Sequence, residues 1–379
     1  MRIAIARERQ SSEARVALVP EVLSGLVAAG YEVALEPGAG KGAMIPDDAF
    51  EQAGGVIDDR ALWTADLVVS VQPLEVGLLR GLRSGTATLS FFPANQRIPE
   101  VIARRELGIT TFAMEYVPRI SRAQSMDALT SQAMVTGYRG AIVAAGLLRQ
   151  FFPLSMTAAG TIPPAQVVVL GAGVAGLQAI ATCRRLGAVV KGYDVRAAAA
   201  EEIRSMGAIA IDLELPTLEG AGGYAREMTE ERAAQQRERL TPYLAAADAL
   251  ITTAAVPGRR APVLVTRSMV EHMKAGSVVI DLAADSGGNV EDVTPGKVVR
   301  VGQAQIWGGS NVPSQMPGPA SRLFAQNVRA VIALMTSDGA FVPDFADEIV
   351  AAMCVTTAGE IRHEPTARLL VETGVNAGE

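Results

Sequence analysis

Apolar residues fall in short runs at 2–6, 31–36, 66–71, 86–92 and 109–114. Runs of this length, apolar on consecutive rather than alternate positions, predict strands buried on both faces. Between them, 20–29 and 47–54 carry apolar positions at helical spacing, and Asp47 stands where it would cap the second helix. Such alternation predicts a mostly parallel sheet wound on both sides. A long helical pattern without proline, 125–150, then leaves the first domain and enters a second. There the strand pattern resumes at 166–170, 189–193, 208–213, 249–253 and 277–282, with a run near 305–308 closing the sheet. Beyond the prolines at 313–319, a helix at 320–335 carries the chain back, and the tail after 338 has no clear period. The expected fold is α/β: two doubly wound parallel-sheet, Rossmann-like domains joined by long helices. The first comprises 1–128 plus 315–379, and the second 129–314.

The turn Gly171-Ala172-Gly173-Val174-Ala175-Gly176 gives the second domain a chemistry. Glycine clusters occur in many turns, so the context carries the argument. A buried-strand run, 166–170, precedes it, a helical pattern, 174–186, follows, and the strand 189–193 ends in Asp194, about 20 residues beyond the turn, as a dinucleotide fingerprint requires. Gly171 permits the tight turn, Gly173 lets a pyrophosphate approach the backbone, and Gly176 lets helix and strand pack closely. The helix N-terminus adds partial positive charge. Asp194 would accept from the adenosine ribose hydroxyls and repel a 2′-phosphate, which favours NAD(H) over NADP(H), although Arg196 lies beside it. The competing reading is a glycine-rich turn with no ligand. A second glycine run, Pro37 to Gly42, lacks the first glycine and the Ser/Thr of a phosphate loop and is read as a turn.

Composition removes several classes. Of 379 residues, 49% are apolar and only 4% aromatic, which suits small buried strands under helices. A net charge of −6 argues against a nucleic-acid partner. Cys183 and Cys354 lie far apart with no clustered His or Cys, so no metal site or disulfide framework is expected, and a reducing cytoplasm is the natural setting. No charged residue occurs between Arg149 and Arg184, but Pro153, Pro163, Pro164 and the glycines divide that stretch into turns, a strand and a helix rather than a membrane span. The N-terminus is not a signal peptide.

Several segments together resemble a known family over nearly the whole chain. Arg7-Glu8-Arg9, Glu13 to Glu21 and Glu36 to Gly40 are similar to the N-terminal signature shared by alanine dehydrogenases and transhydrogenase α subunits. Pro118 to Asp127, Ala158 to Thr161, Gly222 to Ala225, Thr252-Thr253-Ala254 and Gly309 to Ser314 narrow this to the NAD(H)-binding component, domain I, of proton-translocating nicotinamide nucleotide transhydrogenases. The chain ends at Glu379 without a membrane helix, similar to the split form in which this component is a separate peripheral subunit. The resemblance implies NAD(H) bound here and NADP(H) on a partner subunit. It further implies a homodimer, membrane-embedded partner subunits that couple hydride transfer to proton movement, and a place on the cytoplasmic face of the inner membrane. Nicotinamide would sit at an open cleft between the two domains.

The resemblance also implies roles for single residues. Arg119, Gln124, Asp127 and Thr130 would surround the nicotinamide and its ribose, with Ile120, Ser121 and Arg122 among the contacts. Thr130 stands where many relatives carry serine. Val174, Asp194, Val195 and Arg196 would lie against adenosine and diphosphate, and Gly223, Gln236 and Ala255 would add contacts. The 216–236 segment would include a loop closing over the nucleotide, with Tyr224 near its tip; an ordinary solvent loop is the alternative. For the Arg119–Asp127 stretch the structural alternative is that Ser125 caps the long helix and Asp127 complements its dipole. Ser131 and Gln132 are read as packing or solvent contacts.

Proton chemistry separates the two branches. An amino-acid dehydrogenase needs a group that exchanges a proton as hydride moves. Alanine dehydrogenases place a lysine after the 66–71 type of strand and a histidine after the 86–92 type; here those regions read Val71-Gln72-Pro73 and Phe91-Phe92-Pro93-Ala94. The two histidines, His272 and His363, read as a helix-end residue and a tail residue. Arg15 remains but is read as structural. Hydride transfer between two nicotinamides moves no proton and needs positioning alone. The alternatives are an alanine dehydrogenase-like enzyme and a non-catalytic NAD(H)-binding module.

Overall fold

The structure is a computed structural model describing residues 1–216, 229–255, 258 and 260–372. The chain divides into two compact units, one formed by Met1–Gln132 with the segment from Ser314 onward, the other by Ala133–Pro313.

The first unit holds an eight-stranded sheet in the order Glu360–Ile361, Cys354–Thr357, Thr110–Ala113, Ala87–Ser90, Leu67–Val69, Arg2–Ile5, Glu32–Leu35 and Val56–Ile57. The five central strands pair in parallel, and their apolar runs are buried because both faces are covered. Ile3, Ile5, Leu67 and Val69 face one core with helices Pro20–Ala28 and Pro317–Leu334, while Ala4 and Val68 face another with Leu62 and Leu79. The tail that lacked a period adds the antiparallel edge: Cys354–Thr357 pairs with Thr110–Ala113 and turns back onto Glu360–Ile361.

The second unit holds seven strands in the order Ile209–Ala210, Val189–Tyr193, Gln166–Leu170, Ala249–Thr252, Val278–Asp281, Ala304–Gly308 and Val298–Val301. Val167, Val169, Ala249, Ile251, Val278 and Ile280 pack on one face, and Val168, Leu170, Leu250, Val279 and Ile306 on the other. From Gln166–Leu170 the chain builds outward to one side, then returns to lay Ala249–Thr252 on the other, which makes the C-terminal ends of these two strands the topological switch point. The expected closing strand is not the edge. Val298–Val301 pairs antiparallel outside Ala304–Gly308, a hairpin hidden from a reading tuned to parallel repeats.

Several boundaries move for local reasons. The long helix runs Ala128–Leu147, because Ser121–Met126 form a 3-10 turn ahead of it. Asp47 does not cap: Pro46 holds that position, and the Asp47 carboxylate instead accepts from the Gly38 N–H at 3.0 Å, closing the 38–47 loop. The later helix starts at Pro317, since proline is compatible with a first turn. Much of the expected 216–236 loop is helical, as Thr229 caps Glu230–Ala245. The uncharged stretch contains the hairpin Ser155–Thr157/Gly160–Ile162, and no helix among the described residues is long and apolar enough to cross a membrane.

The tail hairpin yields a test of that edge. Its two connecting residues, Ala358 and Gly359, have φ of 50° and 76°, the left-handed conformation of a two-residue turn. Ala358→Asn should raise the unfolding free energy by about 0.5–1 kcal/mol, since asparagine tolerates this region, whereas Gly359→Ala should lower it by about 1–2 kcal/mol. Urea titration checks both, and a neutral Gly359→Ala would remove the hairpin from the account.

Candidate functional site

The fingerprint turn is shaped by contacts that leave no room for a side chain. Gly171 has φ +94°, and a Cβ there would meet Thr253 Oγ1 at 2.5 Å. At Gly176 a Cβ would lie 1.8 Å from the Gly171 carbonyl oxygen, so helix Val174–Arg185 touches the turn backbone to backbone. The long helix approaches from another side, where a Cβ on Gly137 would lie 2.0 Å from the Ala175 oxygen. Gly137 is a glycine the sequence reading passed over, because a lone glycine in a helix has no spacing to mark it. Gly173 behaves differently: nothing lies within 4 Å of its Cβ position. Protein packing does not demand glycine there, and the open space fits a diphosphate drawn to the free N–H groups of the helix start. Val174, the first helical residue, is exposed beside it.

Asp194 stands at the end of the neighbouring strand and turns back onto this loop. Its Oδ2 accepts from the Ala172 N–H at 2.8 Å, and its Oδ1 from the Arg196 backbone N–H at 2.9 Å. The Arg196 guanidinium reaches both oxygens, at 2.9 and 3.1 Å, and the Ala172 carbonyl at 3.1 Å. Arg196 thus occupies the acceptor positions that ribose hydroxyls need, and a nucleotide has to draw it aside or share the carboxylate with it. Val195 packs toward the core below. Gln236, on helix Glu230–Ala245, is buried and accepts from the Tyr193 hydroxyl at 3.0 Å, a placement that ties helix to strand. Ala255 is exposed just past the Ala249–Thr252 strand. Gly171, Gly173, Val174, Gly176, Asp194, Val195, Arg196 and Ala255 therefore gather around the switch point, while Gly223 and Tyr224 lie outside the described residues.

The other candidates belong to the first unit. Arg119, Ser121 and Gln124 are exposed around the Ser121–Met126 turn, and Ile120 packs against the core. Asp127 caps the long helix, accepting from the Thr130 N–H at 2.9 Å and the Thr130 hydroxyl at 2.6 Å. The cap is thus Asp127 and not Ser125, whose carbonyl accepts from Asn327 at 2.8 Å. Asn327 in turn accepts from Ser131, and Gln132 donates to the Ala320 carbonyl, so these two helix residues hold the turn rather than face solvent. Arg122 pairs with Asp347 and Glu348 at 2.8 and 3.1 Å, which commits its guanidinium to the tail and holds the Asp347 carboxyl below its usual range.

Where an oxo-acid dehydrogenase would keep its substrate groups, this chain has a closed cluster. Arg15, 4% exposed, forks onto Glu13 and gives its remaining arm to Gln132 at 2.8 Å. Gln72 donates to Glu13 at 2.9 Å. Burial alone would raise the Glu13 carboxyl, but the bonds and charge of Arg15 outweigh it and hold the group down to about 2. Sequence reasoning missed Glu8, whose carboxyl is pushed up to about 8 by burial. Its two oxygens accept from the Val71 and Gln72 N–H groups, at 2.6 and 3.2 Å, and so brace a strand end. Among the described residues no group of acidic, histidine or cysteine side chains is arranged to hold a metal.

Comparison with known proteins agrees with this geometry. The alanine dehydrogenase/PNT N-terminal domain matches residues 4–136 and the C-terminal domain residues 140–364. The chain is 47% identical to the first of the separately made parts of NAD(P) transhydrogenase subunit alpha from Rhodospirillum rubrum, covering 96% of this chain and 98% of that one. A crystal structure of transhydrogenase from Sinorhizobium meliloti superposes with a TM-score of 0.85 at 40% identity, over 96% of this chain and 100% of the other. An L-alanine dehydrogenase structure superposes at 0.82 with 24% identity, over 98% and 99%, and shares the fold. The chain belongs to the alanine dehydrogenase/PNT family, in its NAD(P) transhydrogenase alpha-subunit branch.

Proposed function

We propose that this chain is the NAD(H)-binding half of a proton-translocating transhydrogenase. In this reading it works as a homodimer at the cytoplasmic face of a membrane, where a separate membrane component couples the reaction to proton movement. Bound NAD(H) supplies a hydride that passes directly to NADP+ held by a partner subunit. The chain's own residues bind and orient. The 129–314 domain holds the nucleotide, Gly173 and the helix start cradling the diphosphate and Asp194 taking the ribose once Arg196 yields. In the 1–128 domain with its 315–379 return, Arg119 and Gln124 orient the nicotinamide from a turn pinned by Asn327, and Asp127 with Thr130 fixes where the helix begins. Gly223, Tyr224, Gln236 and Ala255 complete the nucleotide contacts.

The observation that carries this reading is the Glu13–Arg15 pair. A dehydrogenase acting on an oxo acid needs its arginine open and a proton donor beside it. Here the arginine is sealed against Glu13 and Gln132, and Gln72 closes on the carboxylate. The reaction left to such a site moves hydride without a proton.

Three outcomes are expected. By calorimetry NADH should bind well ahead of NADPH, and Asp194→Ala should weaken NADH about tenfold or more, because hydrogen bonds to a charged group are lost. Equal affinities in the unaltered chain would take Asp194 off the ribose. With an NADP(H)-binding partner domain added, Gln124→Asn should slow hydride transfer on the order of a hundredfold while NADH affinity changes little. A normal rate would return Gln124 to a structural role. Glu8→Gln should leave transfer near the unaltered rate, and the rate should stay flat across neutral pH. A loss on the order of a hundredfold would make Glu8 an acid–base group and favour the dehydrogenase reading.

A further inference from the structure

Beyond the fingerprint strand, the crossing chain is held by a residue that neither the motif nor the family resemblance singles out. Asn289 is fully buried. Its Oδ1 accepts from the Ala254 N–H at 2.9 Å, and its Nδ2 donates to the Ala254 carbonyl at 2.7 Å and to the Pro262 carbonyl at 2.8 Å. Both amide protons are spent, and residue 254 is gripped through its donor and its acceptor at once, as a neighbouring strand would grip it. Asn289 is itself fixed by Asp281, a fully buried carboxylate at the end of the adjacent strand. Asp281 accepts from the N–H groups of Asn289 and Val290 at 2.7 and 3.0 Å and of Ala283 at 2.9 Å. The tight return from Asp281 to Asn289 passes through Gly288, with φ +80°, where a Cβ would lie 3.0 Å from the Asp281 carboxylate.

We propose that Asn289 is a positioning residue: with Asp281 it fixes the 253–255 segment at the switch point and so presets the half of the site that receives the nicotinamide riboside.

The segment it grips is not an arbitrary loop. Ala254 N lies 3.2 Å from the Cβ position of Gly171, and Thr253 bonds back onto the Leu170 and Gly171 carbonyls at 3.3 and 3.1 Å. Ala255, exposed, is the next residue. A dinucleotide lies across the switch point, so with adenosine on the Asp194 side the other half falls on the Ala249–Thr252 side. Without the clamp, residue 254 would lose both of its bonds to Asn289 and the segment could slide toward or away from the turn. A ligand would then have to order it at the moment of binding, and affinity would fall by that ordering cost. The proposal rests on the NAD(H) reading above and adds a residue to it.

The test compares two ligands in the full chain. ADP carries the adenosine and diphosphate but not the nicotinamide riboside. In Asn289→Ala and Asn289→Ser, calorimetry should show NADH weakened on the order of tenfold and ADP essentially unchanged. Equal weakening of both would reduce Asn289 to a general structural staple, and unchanged NADH would remove it from the site; either overturns the proposal. If the unaltered chain binds no NADH, or if Asp194→Ala does not weaken it, the NAD(H) reading itself has failed. Hydrogen exchange on the unaltered, nucleotide-free chain keeps the question open to refutation if the variants do not fold. The Ala254 amide should be protected like those of Ala249–Thr252, and exchange at the rate of an open loop would contradict the clamp.

Discussion

The second unit depends on one steric constraint: backbone must touch backbone at the fingerprint turn. With a Cβ position of Gly176 1.8 Å from the Gly171 oxygen and that of Gly137 2.0 Å from the Ala175 oxygen, two helices close on one turn at distances that exclude every other residue. The adjacent strand adds to it, because Thr253 fills the space a Cβ on Gly171 would take. This packing needs the turn to be rigid before any ligand arrives. Gly173 is the exception that gives the turn a use, being the one fingerprint glycine whose side-chain space faces no protein atom. Asp194 joins the rigid set by accepting from the Ala172 N–H, so the same carboxylate that would read the ribose also holds the turn.

In the first unit the governing interaction is electrostatic. Removing one partner of a buried ion pair costs about 3–5 kcal/mol, so Arg15 is not readily released from Glu13 to receive a substrate carboxylate. Its bond to Gln132 links the pair to the polar chain that runs through Ser131 and Asn327 to the Ser125 carbonyl. The arginine shared across the family is here an anchor beneath the Arg119–Asp127 segment. That is why a likeness to alanine dehydrogenase in fold carries so little of its chemistry.

Much of this was legible in the sequence, because parallel strands buried on both faces leave uninterrupted apolar runs, and 166–170 with 189–193 frame an unmistakable glycine spacing. What escaped was antiparallel or non-local. Val298–Val301 and Cys354–Thr357 are short edge strands whose partners are fixed by tertiary packing, and the signal of a positive-φ turn at Ala358 was masked by an alanine. The roles of Asp47 and Ser125 went wrong since capping depends on where a helix starts, and a proline or a 3-10 turn shifts that start by a residue or two. Arg122 and Arg196 illustrate the limit for sites: sequence places a cation near the ligand, but only the fold shows which carboxylate already holds it.

The central claim is that hydride leaves this chain for a second nucleotide without passing through solvent or a small substrate. Tracing the label tests it most directly. NADH carrying deuterium at the transferred position is mixed with the chain, an NADP(H)-binding partner domain and NADP+, without membrane. The account predicts that the deuterium appears in NADPH, and that the chain alone, offered pyruvate and ammonia, consumes no NADH. Deuterium lost to water, or pyruvate-dependent oxidation of NADH by the isolated chain, would contradict it.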